Sequence, residues 1–267
     1  MRFGGNGLQL ERCGENGLAV WQSAKREDGT IVRGNRISDI RANAGGSGEY
    51  GNAVALYRAG GVVVEGNIIR RVAYTGVRNN GGSNVVIRGN TIQQAGEVAI
   101  YSEFAFDGAA ISGNTVQDAW GGIEVANFAD HGGRLSAISG NVIRSIKQGK
   151  HPSNGDVGGG LGIFVEGDSA VSGNIVEGAQ TAGVRLGWGP SLRDVTATGN
   201  TLRECADGIQ ISVAPGACAA TVVANTIAGA KRASIIGMQW NTRATGDLAL
   251  TGTKDWPKLR VAENTLS

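Results

Sequence analysis

A Gly-Asn pair, followed by an apolar residue or Thr and then by Ile, Val or Leu, recurs along the chain and limits the possible folds more than any other feature. It reads Gly66-Asn67-Ile68-Ile69, Gly89-Asn90-Thr91-Ile92, Gly113-Asn114-Thr115-Val116, Gly140-Asn141-Val142-Ile143, Gly173-Asn174-Ile175-Val176 and Gly199-Asn200-Thr201-Leu202. Looser copies stand at Gly34-Asn35, Ala224-Asn225 and Glu263-Asn264. The shortest step between these asparagines is 23 residues, from Asn67 to Asn90, and the longer steps are that length plus insertions. A fixed period in this range marks a solenoid, whose units bury a core only by stacking on one another.

Residues 84–104 show what one unit builds. Asn84-Val85-Val86-Ile87-Arg88, Thr91-Ile92-Gln93 and Val98-Ala99-Ile100-Tyr101 are three short β-rich runs with Gly-Asn and Ala-Gly at the corners. No gap between them holds a helix of ten residues, and such short runs form no hairpin sheet of their own. Each unit must therefore wind once around a core and pair with the next, right-handed as parallel crossovers are. The expected fold is all-β: a right-handed, single-stranded parallel β-helix of about nine rungs. At about 4.8 Å per rung this is a rod on the order of 40 Å long. The asparagines are expected to stack at one corner as a hydrogen-bonded ladder and to supply its positive φ.

With no linker or shift in composition, residues 1–267 read as one domain, with 240–258 an irregular insertion near the C-terminal end. The first coil starts mid-pattern. It is expected to pack on a preceding region of a longer exported protein, because an uncovered solenoid end exposes core and sheet edges. Gly makes up 45 of 267 residues, as narrow coils full of turns require. A net charge of +2 suggests no nucleic-acid or membrane-surface partner, and no apolar run reaches the length of a membrane span. Cys13 and Cys205 occupy the repeat slot of Ala95 and Ala119, which makes them small core packers. Neither metal-type Cys/His spacing nor stacked Asp rows occur, so no metal or cofactor is expected.

Strand alternation then selects one face for chemistry. In the third run of each unit, Ile or Val at 77, 100, 123, 163, 184 and 209 points inward. The next residues point outward: Arg78, Tyr101, Glu124, Phe164, Arg185 and Gln210. A second outward row holds Asn80, Glu103, Ala126 and Glu166, with Trp21 and Tyr57 on the earlier rungs. Insertions at 41–50, 127–135 and 147–160 flank this face, and they carry both histidines, His131 and His151. Long loops on a regular scaffold are where function usually sits.

Aromatic platforms, arginines and carboxylates on an elongated groove suit an acidic polysaccharide, with Arg pairing uronate carboxylates. The candidate catalytic residues are Tyr101, Glu103, Glu124, His131 and Arg185. The candidate substrate-binding residues are Trp21, Tyr57, Arg78, Phe164, Glu166 and Trp188. Glu103 and Glu124 are a possible carboxylate pair for hydrolysis. Tyr101 with Arg78 or Arg185, or His131 from its loop, are base and uronate-neutralising groups for a lyase or epimerase. The plainer reading makes the same residues a solvated, charge-balanced sheet face. The Asp-Pro-His signature of alginate epimerases and the Asp, Gly-His-Gly and Arg-Ile-Lys set of polygalacturonases are both missing.

Several non-repeat stretches carry a more specific likeness: Gly48-Glu49-Tyr50-Gly51-Asn52-Ala53, Phe104-Ala105-Phe106-Asp107-Gly108-Ala109, Asn127-Phe128, Val184-Arg185-Leu186-Gly187-Trp188-Gly189 and Val213-Ala214-Pro215-Gly216. From about Gly4 to about Trp240 the chain resembles a bacterial family of twin-arginine-translocated repeat proteins. The resemblance implies a β-helix and export, hence a periplasmic or secreted location, and brings no reaction with it. Two functional expectations follow. One is an exported protein that binds an acidic polysaccharide or other envelope glycan and processes it in the manner of a lyase or epimerase. The other is a non-catalytic glycan-binding or structural scaffold of the cell envelope.

Overall fold

The computed structural model describes residues 4–126 and 132–267, and in it the chain winds as a right-handed parallel β-helix. Three ten-stranded sheets run along the axis. The first contains Val85–Arg88, the second Thr91–Ala95 and the third Val98–Glu103, each strand paired in parallel with its counterparts one coil away. There is one more coil than there are ladder asparagines, because the first coil has Leu8 in the asparagine slot. The Leu8 amide still donates to Asn35 Oδ1 at 2.9 Å.

Three stacked aliphatic rows fill the interior. Val64, Ile87, Ile111, Ile138 and Val171 come from the first sheet, Ile69, Ile92, Val116, Ile143 and Val176 from the second. Val77, Ile100, Ile123, Ile163, Val184 and Ile209 come from the third, all fully buried. Each such side chain contributes about 1.5–3 kcal/mol by leaving water. Cys205 lies in this core and Cys13 packs against it, while Cys218 is exposed; all three are free thiols.

The asparagines stack at one corner as expected. In each, the side-chain amide and the backbone N–H both donate to Oδ1 of the next, as for Asn90 to Asn114 (3.0 Å each) and Asn114 to Asn141 (3.0 Å each). The second amide proton goes to a backbone carbonyl inside the coil, Ile87 O in the case of Asn114. The left-handed φ, however, belongs to the residue before: Gly89 and Gly113 have φ near +60°, and the ladder asparagines do not. Glycine makes the bend at no steric cost, and Asn is kept for its bonds.

Three insertions shape the outside of the third sheet. Segment 41–50 crosses it so closely that a Cβ at Gly48 would meet Arg78 Nη1 at 1.9 Å. Within 147–160, Gln148–Lys150 pairs antiparallel with Val157–Gly159. At the far end Ala233–Gln239 turns through Trp240 and Asn241 and returns as the antiparallel strand Thr242–Asp247. Asp247 then caps the single helical turn Leu248–Thr251, and Trp256 packs onto the core. Among the described residues no helix is long and apolar enough to cross a membrane.

Candidate functional site

Alternation along the third sheet aligns Arg78, Tyr101, Glu124, Phe164, Arg185 and Gln210 in one outward row. Asn80, Glu103 and Ala126 form the next, preceded by Trp21 and Tyr57. The overlying segments convert this face from a solvated surface into a partly enclosed one. Glu103 and Glu166 are 2% exposed, and Glu124 and Arg185 are each 7% exposed.

One end of the row is closed by its own bonds. Arg78 binds Glu103 through two nitrogens, at 2.7 and 3.1 Å, and reaches Glu97 at 3.2 Å. Asn80 donates to Glu103, Thr75 donates to Glu97, and His151 Nε2 lies 3.1 Å from Glu97 Oε1. Burial pulls the Arg78 guanidinium down, but Glu103 and Glu97 together leave it raised. Expected roles change accordingly. Arg78 is engaged by Glu103 and Glu97, and Glu103, which lies in a different row from Glu124, is engaged by Arg78 and Asn80. Trp21 and Tyr57 stack on one another at 4.7 Å near the first coils, Trp21 69% exposed, and do not join the cleft. His131 lies outside the described residues.

Farther along, a cleft of about 600 Å³ opens over the same sheet. Tyr101, Glu124, Phe164, Glu166, Arg185 and Trp188, all singled out from sequence, line it together. The hairpin of 147–160 forms one wall. Trp120 Nε1 donates to Gly149 O at 3.0 Å, and the edge of His151 meets the Trp120 ring at 5.1 Å. A Cβ at Gly159 would fall 2.6 Å from that ring, and φ there is +77°, so both contact and conformation demand glycine.

Glu124 is the anomaly of the cleft. Its Oε1 is buried and has no hydrogen-bond partner, the only such side-chain atom among the described residues. The carboxyl lies over Gly121, where a Cβ would approach Oε1 to 2.5 Å. Burial, reinforced by Glu97 and Glu166 and only partly countered by Arg185, pushes its pKa up to about 8. At neutral pH the group carries a proton. Tyr101 moves the same way: burial, then the charges of Glu124 and Glu103, raise its phenol far above the usual range. The phenol therefore keeps its proton across the neutral range.

Arg185 is a cation without an anion. Nε donates to Gln210 Oε1 at 2.6 Å, Nη1 reaches Asn241 Oδ1 at 3.4 Å, and Trp188 lies 5.5 Å from the guanidinium carbon. Among the described residues it makes no ion pair, whereas Asp207, 1% exposed, pairs with both Arg232 and Arg243. Sequence reasoning missed Trp120, Asp207, Arg232 and Arg243. Asp207 did leave a signal, because it stands where other coils place Leu161, Ala182 and Ala233. The arginines and Trp120 reach the cleft by routes that strand alternation does not reveal.

A family model described as right handed beta helix region matches residues 6–132. No curated protein matches the chain in sequence. Among solved structures, the chain is similar to the tailspike protein of E. coli bacteriophage HK620. A single-site mutant in complex with pentasaccharide gives a TM-score of 0.57 at 15% identity, over 85% of this chain and 42% of that one. A double mutant, also in complex with pentasaccharide, gives 0.51 at 15% identity, over 79% and 45%. A second double mutant gives 0.51 at 16%, over 81% and 46%. The chain thus spans less than half the length of these proteins, and the likeness is one of fold.

Proposed function

We propose that the cleft binds a segment of an acidic polysaccharide and that Glu124 transfers the proton in its processing. The observation that carries this reading is the buried carboxyl of Glu124 with its unpartnered Oε1, in a cleft lined by Phe164 and Trp188 and holding an arginine that makes no ion pair among the described residues; burial also favours the protonated form of the acid. A carboxylic acid kept neutral at neutral pH can protonate the oxygen of a leaving sugar. The aromatic floor suits sugar rings, and Arg185 suits an acidic substituent. Two of the tailspike structures that share the fold are complexes with a pentasaccharide, which agrees with a glycan ligand for this chain.

Lyase- or epimerase-type processing is the second reading, favoured by Arg185, which can neutralise a uronate carboxylate while a base removes the neighbouring proton. With Tyr101 held protonated, Glu124 above its pKa is then the base. The two readings have opposite pH profiles. As an acid, Glu124 gives a rate that falls as pH rises through about 8, and as a base a rate that rises through the same value. The resemblance to twin-arginine-translocated repeat proteins makes export to the periplasm or beyond part of the proposal.

The test is a glycan array probed with wild type and Glu124→Gln, followed by incubation of bound glycans while new reducing ends and unsaturated uronate are measured. Binding by both proteins with turnover only by wild type is expected. Binding by both with turnover by neither would leave the cleft a non-catalytic glycan-binding surface.

A further inference from the structure

Glu124, Phe164 and Arg185 are consecutive members of one outward row. The acid and the guanidinium therefore stand two rungs apart, roughly 10 Å, with an aromatic ring between them. We propose, resting on the glycan-binding reading above, that one carboxylated sugar ring lies on Phe164, with its carboxylate on Arg185 and its linkage oxygen beside Glu124.

Charge gives the cleft a direction. At the Arg185 end stand three guanidinium groups, Arg185, Arg232 and Arg243, against the carboxylate of Asp207, while the carboxyl group of Glu166 lies on the Phe164 coil between the two ends. Asp207 already holds Arg232 and Arg243, so Arg185 is the one left for an anion. At the other end Glu124 is neutral and its Oε1 lacks a partner. An anionic substituent is thus drawn to one pole and a neutral ether oxygen suits the other.

The guanidinium is oriented in advance. Asp207 Oδ2 accepts from Gln210 Nε2 at 2.7 Å, which fixes the amide so that Gln210 Oε1 must accept from Arg185 Nε at 2.6 Å. Trp188 flanks the guanidinium group. Held at Nε by Gln210 and touched at Nη1 only by the long 3.4 Å contact to Asn241 Oδ1, Arg185 keeps Nη2 and the second Nη1 proton for a two-point contact with a carboxylate, the geometry that distinguishes arginine from lysine. Asp207 and Gln210 are positioning residues: they act through Arg185. The arrangement also accounts for an acidic residue at a strand position that is apolar on neighbouring coils.

The test uses a printed panel of oligosaccharides built from galacturonate, glucuronate, mannuronate and guluronate. Each is presented in native form and with its carboxyl groups reduced to primary alcohols, and is probed with wild type, Arg185→Gln, Arg185→Lys and Gln210→Met. Wild type is expected to bind at least one native form about ten- to a hundred-fold more tightly than its reduced counterpart, the worth of a charge-assisted contact. Arg185→Gln should bind both forms alike. Arg185→Lys, which keeps the charge without the fork, should lose part of the preference and serves if the Gln variant does not fold. Gln210→Met, which removes the acceptor on Arg185 Nε and leaves Asp207 with Arg232 and Arg243, should weaken native binding more than reduced. Equal binding of native and reduced forms, or binding of neutral sugars alone, would overturn the carboxylate subsite and leave a glycan-binding cleft standing. No binding to any glycan would overturn both.

Discussion

Arg78 and Arg185 stand in the same row of the same sheet, both at the surface of one solenoid and both covered by insertions, yet the chain uses them in opposite ways. Arg78 is closed on itself: Glu103 grips two of its nitrogens, Glu97 takes a third contact, and His151, Thr75 and Asn80 complete the carboxylates. Arg185 meets an amide and an aromatic ring, and the nearby acid, Glu124, is held neutral without a partner. A buried charge network that is complete has nothing to offer a ligand, whereas an incomplete one is costly to the fold and ready to bind. Residue type did not separate the two ends. The partners did: Glu103, from the adjoining strand, and Glu97 close one end, with His151 added from an insertion, and no acid pairs with Arg185 among the described residues.

The sharpest way to break this contrast is Glu124→Gln. Removing the proton donor should lower turnover of a bound glycan about 10²–10⁴-fold. It should also stabilise the protein at neutral pH, because the native state then no longer keeps a proton that the unfolded chain releases. The sign follows from the raised pKa. Wild type is at no disadvantage below the ordinary value of 4.5, loses stability as pH rises from there to about 8, and is flat above it. Urea unfolding of both proteins across that range should show the gap opening with pH, and a constant gap would contradict the account.

Next in size, Arg78→Met should cost about 3–5 kcal/mol in the same unfolding assay, since it strands Glu103 and Glu97. A loss below 1 kcal/mol, roughly the value of an exposed pair, would show that the network is not closed. Gly121→Ala should cost about 1–3 kcal/mol by forcing a Cβ against the Glu124 carboxyl and the Val98 side chain. Its backbone φ is not left-handed, so the effect is steric, and it should alter the pH profile of any activity as the carboxyl shifts. Smallest is Arg185→Met, expected to change stability by no more than about 1 kcal/mol in either direction. The lost bond to Gln210 is offset by removing an unpaired buried charge. A loss as large as that of Arg78→Met would erase the distinction between the two ends.

The scaffold was readable in the sequence because its physics is local and periodic. The Gly-Asn step sets the coil, and period-2 alternation places Tyr101, Glu124, Phe164 and Arg185 in one row without knowledge of anything else. Even there the roles within the corner were exchanged, since Gly89 and Gly113 carry the left-handed φ and Asn90 and Asn114 only the ladder. What alternation cannot reveal is the path of an insertion. Alternation does set Glu103 in the adjoining row one coil on from Arg78, but nothing local tells that His151 will descend from 147–160 onto Glu97. Nothing local to Thr242–Asp247 tells that Arg243 will reach back to Asp207. Asp207 alone could have been found, from its place in a slot that is apolar elsewhere. Of the two loop histidines, His151 serves the closed end of the row.

The central claim is that Glu124 carries a proton in the cleft at neutral pH. The most direct measurement follows the carboxyl carbon of isotopically labelled glutamate by NMR from pH 3 to pH 10, with Glu124→Gln used to assign the resonance. The account predicts a titration midpoint near 8. A midpoint near 4.5, the ordinary glutamate value, would contradict it.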